Sequence, residues 1–253
     1  MSRSSLALYI HWPFCKIKCP YCDFNSYRRV TVDQSQWVKA YLKGLELWFS
    51  RLDTRKINSI FFGGGTPSLL DPNFVELLLV AVNKLWGINS DCEVSIEANP
   101  NSVSEEKFQR LKHIGINRVS IGVQSLANKD LKSLGRDHNK EQALEAVEIV
   151  GKWFKNFNLD FIYGRQYQST NDWSDELSQV ISLKAPHLSL YQLTIEENTS
   201  FFKLFKKNLL KGMPTNKIAS EMFDVTKRLC EDGGYSQYET SNFAKKGFKC
   251  KHN

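Results

Sequence analysis

The sequence predicts an α/β protein built on a mostly parallel sheet, a partial (β/α)6 TIM-like barrel. Three observations support this fold class. Six short runs rich in Val, Ile, Phe and Tyr recur along the chain, segments with helix signals separate them, and each distinctive polar motif follows one of the runs. The strand-like runs are 6–11, 59–63, 93–98, 118–123, 158–163 and 187–195. Six strands are fewer than the eight of a complete barrel, so we expect an incomplete one.

The segments between the strands carry helix start and stop signals. A side chain just before a helix can accept a hydrogen bond from a free backbone amide, and three pairs of residues fit such a start: Asp71 with Pro72, Ser102 with Glu105, and Asn139 with Gln142. Gly87 and Gly115 mark the ends of the first two helices. The basic amphipathic run 201–211 predicts a helix that packs on the core with a solvated lysine face, with contact to a membrane or partner as the alternative.

Composition limits the class of protein. The chain has 253 residues, 42% of them hydrophobic and 24% charged, which suits a soluble globular protein. Its apolar runs fall short of the ~18 residues of a membrane span, and residues 6–10 are too few for the apolar region of a signal peptide. The net charge of +7 is a mild basic excess, so no nucleic-acid partner is expected. We expect a core over residues 1–235 and the start of a truncated C-terminal region over 236–253.

Three of the six cysteines lie close together near the start of the sequence. Cys15, Cys19 and Cys22 have the spacing C-x3-C-x2-C without a secretory signal, which is typical of metal ligands in a reducing cytoplasm. Three thiolates can hold three irons of a [4Fe–4S] cluster and leave the fourth iron open for a small molecule. A structural zinc site is the alternative, although such sites usually have four ligands and no fourth cysteine lies nearby.

Polar motifs also follow the second and third strands. Gly64 and Gly65 end a three-glycine run, which Thr66 follows; a polar ligand can approach backbone atoms there, with a tight turn as the alternative. Glu97 ends the third strand. An inward-facing carboxylate there would need a cationic partner, and the alternative is an exposed residue before a turn. Because ligand sites of parallel barrels lie at the carboxyl ends of the strands, we expect these residues to share a site.

The later strands add three candidates. Gln124 ends the fourth strand with an amide. Arg136 could clamp a carboxylate through two hydrogen bonds, and a solvated arginine at a helix end is the alternative. Asp160 interrupts an otherwise apolar strand and is therefore a candidate for binding a ligand hydroxyl. The isolated histidines, His113, His138 and His187, are interpreted as structural.

These residues lie in motifs that together resemble a known family. The C-x3-C-x2-C motif, with Tyr9 before it and Tyr21 inside it, is similar to that of radical S-adenosylmethionine (SAM) proteins. The wider set resembles the HemW family of heme chaperones, which are related to the oxygen-independent coproporphyrinogen III oxidases. Its motifs are YIHWPFC, CPYCDFNSY, FFGGGTPSLL, SIEANP, RVSIGVQS, LGRDH, NLDFIYG, HLSLYQLTIE, GYSQYETSNFA and CKHN. The resemblance covers essentially the whole sequence and implies a radical SAM barrel.

The resemblance implies a role for each candidate residue. Cys15, Cys19 and Cys22 would bind a [4Fe–4S] cluster, whose open iron SAM would chelate. Gly64, Gly65 and Thr66 would lie against the methionine end of SAM, Tyr9 and Glu97 would contact the same molecule, and Tyr21, Gln124, Arg136 and Asp160 would contact a second SAM, as in the oxidase relatives. An electron from the reduced cluster would cleave SAM and release a 5′-deoxyadenosyl radical.

Two features favour a chaperone over an oxidase. The oxidases carry a further cysteine two residues after the third, where this chain has Phe24, and a longer extension before the cluster motif. A HemW-like protein implies several partners: SAM, heme, heme-acceptor proteins that could be membrane-associated, and an electron donor such as a flavodoxin or ferredoxin. His252 in the CKHN motif is the candidate heme residue, and the expected location is the cytoplasm.

The chain departs from the family pattern at two places. Residues 165–170 read RQYQST where the family has Leu-Pro-Gly-Gln-Thr or similar, so a loop at the ligand face is expected to differ. Family members continue after CKHN with an HN-x-x-Y-type segment implicated in heme binding, whereas this sequence stops at Asn253, so we expect a truncated protein. The alternative functions are an oxygen-independent coproporphyrinogen III oxidase and an inactive fragment or zinc-stabilised binding protein.

Overall fold

One eight-stranded sheet organises the structure, a computed structural model that describes residues 5–52 and 55–252. The strands are β1 (Leu6–Trp12), β2 (Phe14–Cys15), β3 (Tyr27–Arg28), β4 (Ile57–Gly64), β5 (Ile88–Ala98), β6 (Arg118–Gln124), β7 (Asn156–Tyr163), β8 (His187–Gln192), β9 (Ser236–Gln237) and β10 (Asn242–Ala244). Their order in the sheet is β1-β4-β5-β6-β7-β8-β10-β9. The first six of these pair in parallel, and β10 is antiparallel to both of its neighbours. The short strands β2 and β3 form a separate parallel pair.

Helices connect the parallel strands. They are α1 (Gln34–Arg51), α2 (Pro72–Trp86), α3 (Glu105–His113), α4 (Asn128–Ser133), α5 (Lys140–Trp153), α6 (Thr170–Ser182), α7 (Ser200–Lys206) and α8 (Asn216–Asp232). At least one helix follows each of the six parallel strands before the next element of the sheet. The prediction of an α/β fold with a partial six-stranded barrel is therefore confirmed.

The strands have an apolar face and a polar face. On β6, Val119 and Ile121 are fully buried within the hydrophobic core, while Ser120 and Gly122, which alternate with them, border a cavity. Successive side chains of a strand point to opposite faces, so each strand can serve both surfaces. The fold thus buries one face beneath the helices and directs the other face towards the cavity.

Two of the predicted helix starts are confirmed. The carboxylate of Asp71 accepts a hydrogen bond of 2.8 Å from the Asn73 amide, one residue after Pro72. Asn139 and Gln142 form a reciprocal capping box, in which each side chain accepts a hydrogen bond from the other residue's backbone amide. Both starts could be recognised because the bonds that make them are local.

The predicted capping box of Ser102 with Glu105 is wrong. The Ser102 hydroxyl instead donates to the Asn99 carbonyl at 2.6 Å and accepts from the Asn99 amide at 3.2 Å, which closes a short 3-10 turn over Pro100–Ser102. The helix begins later, at Glu105, after Ser104. The Ser102 hydroxyl can form hydrogen bonds in either of two overlapping turns, and in the structure it forms those of the earlier turn.

Two predicted elements are shorter than expected. Strand β8 ends at Gln192 rather than at residue 195, because its neighbour β7 ends at Tyr163 and offers no further partner. Helix α7 ends at Lys206 rather than spanning 201–211, and Asn208 then adopts a positive φ of 55°. Phe201 is buried while the lysines of the last turn are exposed, as expected for a helix that packs on the core.

In the loop after β7, Tyr167 adopts a backbone conformation typical of glycine. Tyr167 has a φ of 59°, in the left-handed region that side chains other than glycine rarely adopt. Its amide donates a 2.6 Å hydrogen bond to the Gly212 carbonyl, and a Cβ on Gly212 would lie 2.4 Å from the Tyr167 ring. The departure from the family's Pro-Gly turn is thus accommodated by contact with a distant glycine.

Residues 236–252 join the same sheet through β9 and β10. The division into a core over 1–235 and a region over 236–253 stays a prediction, and Asn253 and residues 1–4 lie outside the described residues. In the part of the chain that the structure describes, none of the helices combines the length and apolar character that a bilayer crossing requires.

Replacing Asn139 with alanine should lower the free energy of unfolding by about 1 kcal/mol, because a free amide at the start of α5 loses its acceptor. Urea denaturation at neutral pH measures the change. Asn216→Ala is the matched control, since Asn216 is an exposed residue inside the first turn of α8 and Thr215 caps that helix. Equal losses in the two variants would contradict the capping role.

Candidate functional site

A cavity of about 540 Å³ opens at the carboxyl ends of the parallel strands and reaches into the barrel. Its wall includes every candidate residue of the sequence analysis: Tyr9, Cys15, Cys19, Tyr21, Cys22, Gly64, Gly65, Thr66, Glu97, Gln124, Arg136, Asp160 and His252. These residues come from the strands β1, β2, β4, β5, β6 and β7, from the loops that follow β2, β4 and α4, and from the end of the described chain. The fold thus brings together candidates that lie far apart in sequence.

Each of the three clustered thiols has its own hydrogen-bond donor. The Cys15 sulfur accepts from the Thr66 hydroxyl at 3.4 Å, the Cys19 sulfur from Arg136 Nη1 at 3.5 Å, and the Cys22 sulfur from Lys18 Nζ at 3.9 Å. Burial raises the pKa of Cys15, and the hydrogen bond from Thr66 opposes that shift. Cys15, Cys19 and Cys22 are free thiols. Over residues 5–52 and 55–252, no three Cys, His, Asp or Glu side chains are gathered around the position of a single metal ion.

The glycine run allows β4 to contact the cysteine loop directly. The Gly65 amide donates to the Trp12 carbonyl at 2.7 Å, and the Thr66 amide donates to the Phe14 carbonyl at 2.9 Å. A Cβ on Gly65 would lie 2.7 Å from the Phe14 carbonyl oxygen, closer than real Cβ contacts. Gly64 has a φ of 115°, which also favours glycine. The run therefore serves the approach of two backbone segments, and its far side borders the cavity.

Glu97 faces the cavity beside the glycine run. Its carboxylate accepts a 3.0 Å hydrogen bond from the Gly64 amide. Burial, followed by the nearby charge of Asp160, raises the pKa of Glu97 to about 8, while the Gly64 amide and Arg118 act in the opposite direction. Burial and the charge of Glu97 in turn raise the pKa of Tyr9 to about 12. A cationic ligand at this point would stabilise the ionised carboxylate.

Asp160 lies across the cavity in a network of polar side chains. It accepts hydrogen bonds from the Ser120 hydroxyl at 3.1 Å and from the Asn158 amide. Burial raises the pKa of Asp160, and these hydrogen bonds limit the shift. Behind them, the side-chain oxygen Oδ1 of Asn158 lies 2.5 Å from His187 Nδ1. Asp160 is thus fixed in orientation by Asn158 of its own strand and Ser120 of the adjacent strand β6.

Arg136 connects the cysteine loop to the strand ends. Its Nη2 donates to the Gly122 carbonyl at 2.8 Å and to Asn99 Oδ1 at 3.1 Å, and its Nη1 lies 3.4 Å from the Tyr21 hydroxyl. Burial raises the pKa of Tyr21, although the charge of Arg136 opposes the shift. Arg136 is therefore a part-buried cation that is hydrogen-bonded into the cavity wall, unlike the solvated arginine that was the alternative.

Gln124 is held in a strained conformation at the end of β6. Its φ is 71°, and its side-chain oxygen is buried with no hydrogen-bond partner among the described residues. The two following residues are fixed by Glu176, which accepts hydrogen bonds of 2.7 Å from the Ser125 hydroxyl and the Leu126 amide. A strained residue at a ligand face, with an unpaired polar atom, is typical of a functional site.

A buried ion network supports that turn. Arg165 Nη2 pairs with Glu176 and lies 2.9 Å from Asp130 Oδ2, and both Arg165 and Glu176 are largely buried. Arg165 is the first residue of the loop that departs from the family pattern. The network therefore connects that loop to the turn that carries Gln124.

The last described residues return to the first strand. The His252 ring stacks on Phe61 at a centroid distance of 4.4 Å and on Tyr9 at 5.6 Å. Within the described structure, its Nδ1 atom is buried without a partner. Glu93 holds the segment by accepting hydrogen bonds from the Cys250 thiol at 3.3 Å and the Lys251 amide at 3.1 Å. His252 is thus positioned at the cavity wall with one free ring nitrogen.

Sequence reasoning missed two cationic residues of the wall. Arg118 is only 2% exposed, and its Nε has no hydrogen-bond partner among the residues that the structure covers. Lys18 lies between the first two cysteines and contacts the third. The sequence contained a signal for Arg118, because residues two apart on a strand share a face and Ser120 of the same strand lies on the polar one.

Comparison with known proteins identifies relatives of the whole chain. A model of the radical SAM superfamily matches residues 9–178. The heme chaperone HemW of Haemophilus influenzae is 40% identical over 254 residues, a match that covers 98% of this chain and 65% of that protein. HemW of Escherichia coli is 40% identical over 250 residues with the same coverages. The mitochondrial radical S-adenosyl methionine domain-containing protein 1 of Bos taurus is 35% identical, covering 98% of this chain and 56% of that protein.

A solved structure shares the fold. Coproporphyrinogen III oxidase (HemN) from Escherichia coli, described as a radical SAM enzyme, aligns with a TM-score of 0.80 and 24% identity, covering 96% of this chain and 56% of that chain. At this identity the likeness concerns the fold alone. The present chain spans 65% of the length of the two HemW relatives.

The stability of the protein should depend on the ionisation of Glu97. Because its folded-state pKa of about 8 exceeds the ordinary value of 4.5, the folded protein loses stability as the pH rises from about 4.5 through about 8. Glu97→Gln should remove this loss, so its advantage over the parent should grow by roughly 2 kcal/mol between about pH 5 and about pH 9, a value discounted because the carboxyl faces the open cavity.

Urea denaturation at several pH values, without added ligands, measures this difference. The exposed carboxyl of Glu106 provides the control, since Glu106→Gln should change stability equally at both pH values. A constant difference between Glu97→Gln and the parent across the range would contradict the assignment.

Proposed function

The chain belongs to the radical SAM superfamily, and from this premise we propose that it holds a [4Fe–4S] cluster and SAM in the cavity and acts as a HemW-type heme chaperone. Membership of the superfamily implies the cluster and SAM. The heme function is supported by the relatives that are named heme chaperones and are 40% identical over 98% of this chain. The observation that carries the proposal is the grouping of three thiols, a glycine run and two carboxylates around one cavity.

The chemistry of the donors fits an iron–sulfur cluster. Cys15, Cys19 and Cys22 are soft sulfur donors that border one cavity, and each sulfur accepts a hydrogen bond that favours the thiolate. When bound and reduced, such a cluster supplies the electron for the cleavage of SAM. The protein's part is to hold the thiolates in place and to keep one iron accessible from the cavity.

The wall beside the cysteines suits a first SAM molecule. We assign Gly64, Gly65 and Thr66 to its methionine end, because glycines let a ligand reach the backbone. Tyr9 and Glu97 would complete this subsite. The high pKa of Glu97 means that a cationic ligand would bind with release of a proton near neutral pH.

The remaining candidates suit a second SAM. Gln124 offers an unpaired buried oxygen, Asp160 a carboxylate of fixed orientation, and Arg136 a part-buried cation. Tyr21 lies against Arg136. These groups can bind hydroxyls, amines and carboxylates, the polar groups that SAM presents.

Heme would contact the outer part of the cavity. Phe24 is 60% exposed and Ile17 is 43% exposed, and both border the cavity near the cysteines. Exposed apolar side chains at a cavity mouth suit a large flat apolar ligand. His252, with its unpaired Nδ1 atom, is the candidate residue for contact with the iron of heme.

The proposed setting follows from the chemistry of the site. Free clustered cysteines require a reducing compartment, which supports a cytoplasmic location. The proposed partners are a reductant such as a flavodoxin or ferredoxin and the proteins that accept heme. Where these acceptors are membrane-associated, the protein would meet them at the membrane surface.

Two other functions remain as outcomes of the tests. An oxygen-independent coproporphyrinogen III oxidase is supported by the common fold with HemN, and Phe24 at the position of the oxidases' further cysteine argues against it. A zinc-stabilised binding protein would hold one zinc and no acid-labile sulfide. Anaerobic assays for protoporphyrinogen formation and metal analysis separate these functions from the proposal.

Cys19→Ser should abolish cluster binding and SAM cleavage, because a hard oxygen donor replaces a soft thiolate. After anaerobic reconstitution, the parent should hold about four irons and the variant close to none. Iron and sulfide analysis and the release of 5′-deoxyadenosine measure the two effects. Cys92→Ser serves as the control, since Cys92 is buried away from the cavity wall. Normal SAM cleavage by Cys19→Ser would refute the cluster assignment.

His252→Ala should weaken heme binding about tenfold or more, because a ring nitrogen at the cavity wall is lost. Heme titration followed by the Soret band measures the affinity, and iron content should stay unchanged. His113→Ala removes an exposed histidine on α3 and is the control. If the parent gave no Soret shift, the chaperone function would be wrong; if the parent turned over coproporphyrinogen, the oxidase would replace it.

A further inference from the structure

Lys18 is a cation built into the cysteine loop. Its Nζ atom donates to the Phe24 carbonyl at 2.6 Å and to the Ser26 hydroxyl at 2.8 Å, and lies 3.9 Å from the Cys22 sulfur. An ammonium group has three donors, and these three acceptors account for all of them. The side chain thus connects the first half of the loop to the third cysteine and the residues after it.

The donors to the three sulfurs differ in charge. Cys15 receives a neutral hydroxyl from Thr66, whereas Cys19 and Cys22 receive cationic groups from Arg136 and Lys18. Arg136 also contacts Tyr21 and the strand ends. The contacts of Lys18, by contrast, are confined to residues 22–26 of its own loop. Lys18 is therefore the donor whose removal perturbs the rest of the cavity least.

A cation beside a thiolate affects the redox balance of a bound cluster. Reduction adds one electron, so the reduced cluster is more negative and gains more from a nearby positive charge. Hydrogen bonds to the sulfurs and the net charge around them are among the factors that set the potentials of iron–sulfur clusters. The potential matters here because the proposed function needs a reductant to deliver that electron.

We propose that Lys18 is a positioning residue for Cys22 and that its charge raises the reduction potential of the cluster. The inference rests on the proposed cluster and goes beyond it, because it concerns a residue that is neither a ligand nor a SAM contact. Lys18 holds the third thiolate through the bonds to Phe24 and Ser26, and it stabilises the reduced state through its charge.

The loop contains its own control. Lys16 and Lys18 both lie between Cys15 and Cys19, and Lys16 is exposed. Lys16→Met and Lys18→Met therefore make the same change in net charge at the same loop. Lys18→Arg keeps the charge and the donors, and tests whether they are sufficient.

The experiment is anaerobic reconstitution of each variant, iron and sulfide analysis, and a redox titration of the cluster followed by electron paramagnetic resonance. Lys18→Met should keep its iron and shift the ratio of oxidised to reduced cluster about tenfold at a fixed potential. For a one-electron couple this corresponds to about 59 mV towards more negative values. Lys16→Met should titrate like the parent, and Lys18→Arg should recover most of the shift.

Each outcome has a distinct meaning. A parental potential in Lys18→Met with normal iron content overturns the inference and leaves the proposed function intact. If Lys18→Met fails to assemble a cluster, Lys18→Gln replaces it in the titration. If Lys18→Met and Lys18→Gln lose iron and Lys18→Arg keeps it, the positioning role is supported. If all three Lys18 variants lose iron, the role of the charge is overturned. Absence of iron in the parent refutes the proposed function itself.

Discussion

The cavity depends on the close approach of the end of β4 to the cysteine loop. Two backbone hydrogen bonds, from Gly65 to Trp12 and from Thr66 to Phe14, hold the two segments together. The approach requires glycine, because a Cβ on Gly65 would overlap the Phe14 carbonyl. The same contact directs the Thr66 hydroxyl to the Cys15 sulfur and leaves the Gly64 amide free for Glu97. One steric constraint thus fixes both a thiol and a carboxylate.

The polar side of the sheet carries the energetic cost of this site. Burial disfavours the charged forms of Glu97 and Asp160, as their raised pKa values show. Neighbouring donors limit that cost, and the apolar side of the same strands supplies the stabilising core. The buried ion network of Arg165 and Glu176 holds the strained turn at Gln124. Substituting only one partner of such a pair lowers the stability of the fold more than replacing both partners with apolar residues, because an uncompensated charge is left buried.

Much of the fold could be predicted from the sequence, because its signals are local. The apolar runs predicted the six parallel strands, and Asn139 with Gln142 predicted a helix start, since neighbouring residues make both features. The candidate residues could be expected to share one region, because ligand sites lie at the carboxyl ends of parallel strands. Their roles as ligands stay predictions.

What could not be predicted involves contacts between distant segments or competition between near neighbours. Nothing local indicates that Tyr167 adopts a left-handed conformation against Gly212, or that Glu93 anchors Cys250. The predicted capping box of Ser102 was wrong for a different reason. The Ser102 side chain can close either of two overlapping turns, and the sequence pattern favours neither. The order of the chain has a further consequence for how the site forms. Strands β4 to β8 each pair with the next one made, so the sheet can grow as the chain emerges from the ribosome. The ring stack of His252 on Tyr9, however, joins the last described residue to the first strand. The part of the cavity wall that His252 forms can therefore close only after residue 252 has been synthesised, well after the cysteines and the parallel strands.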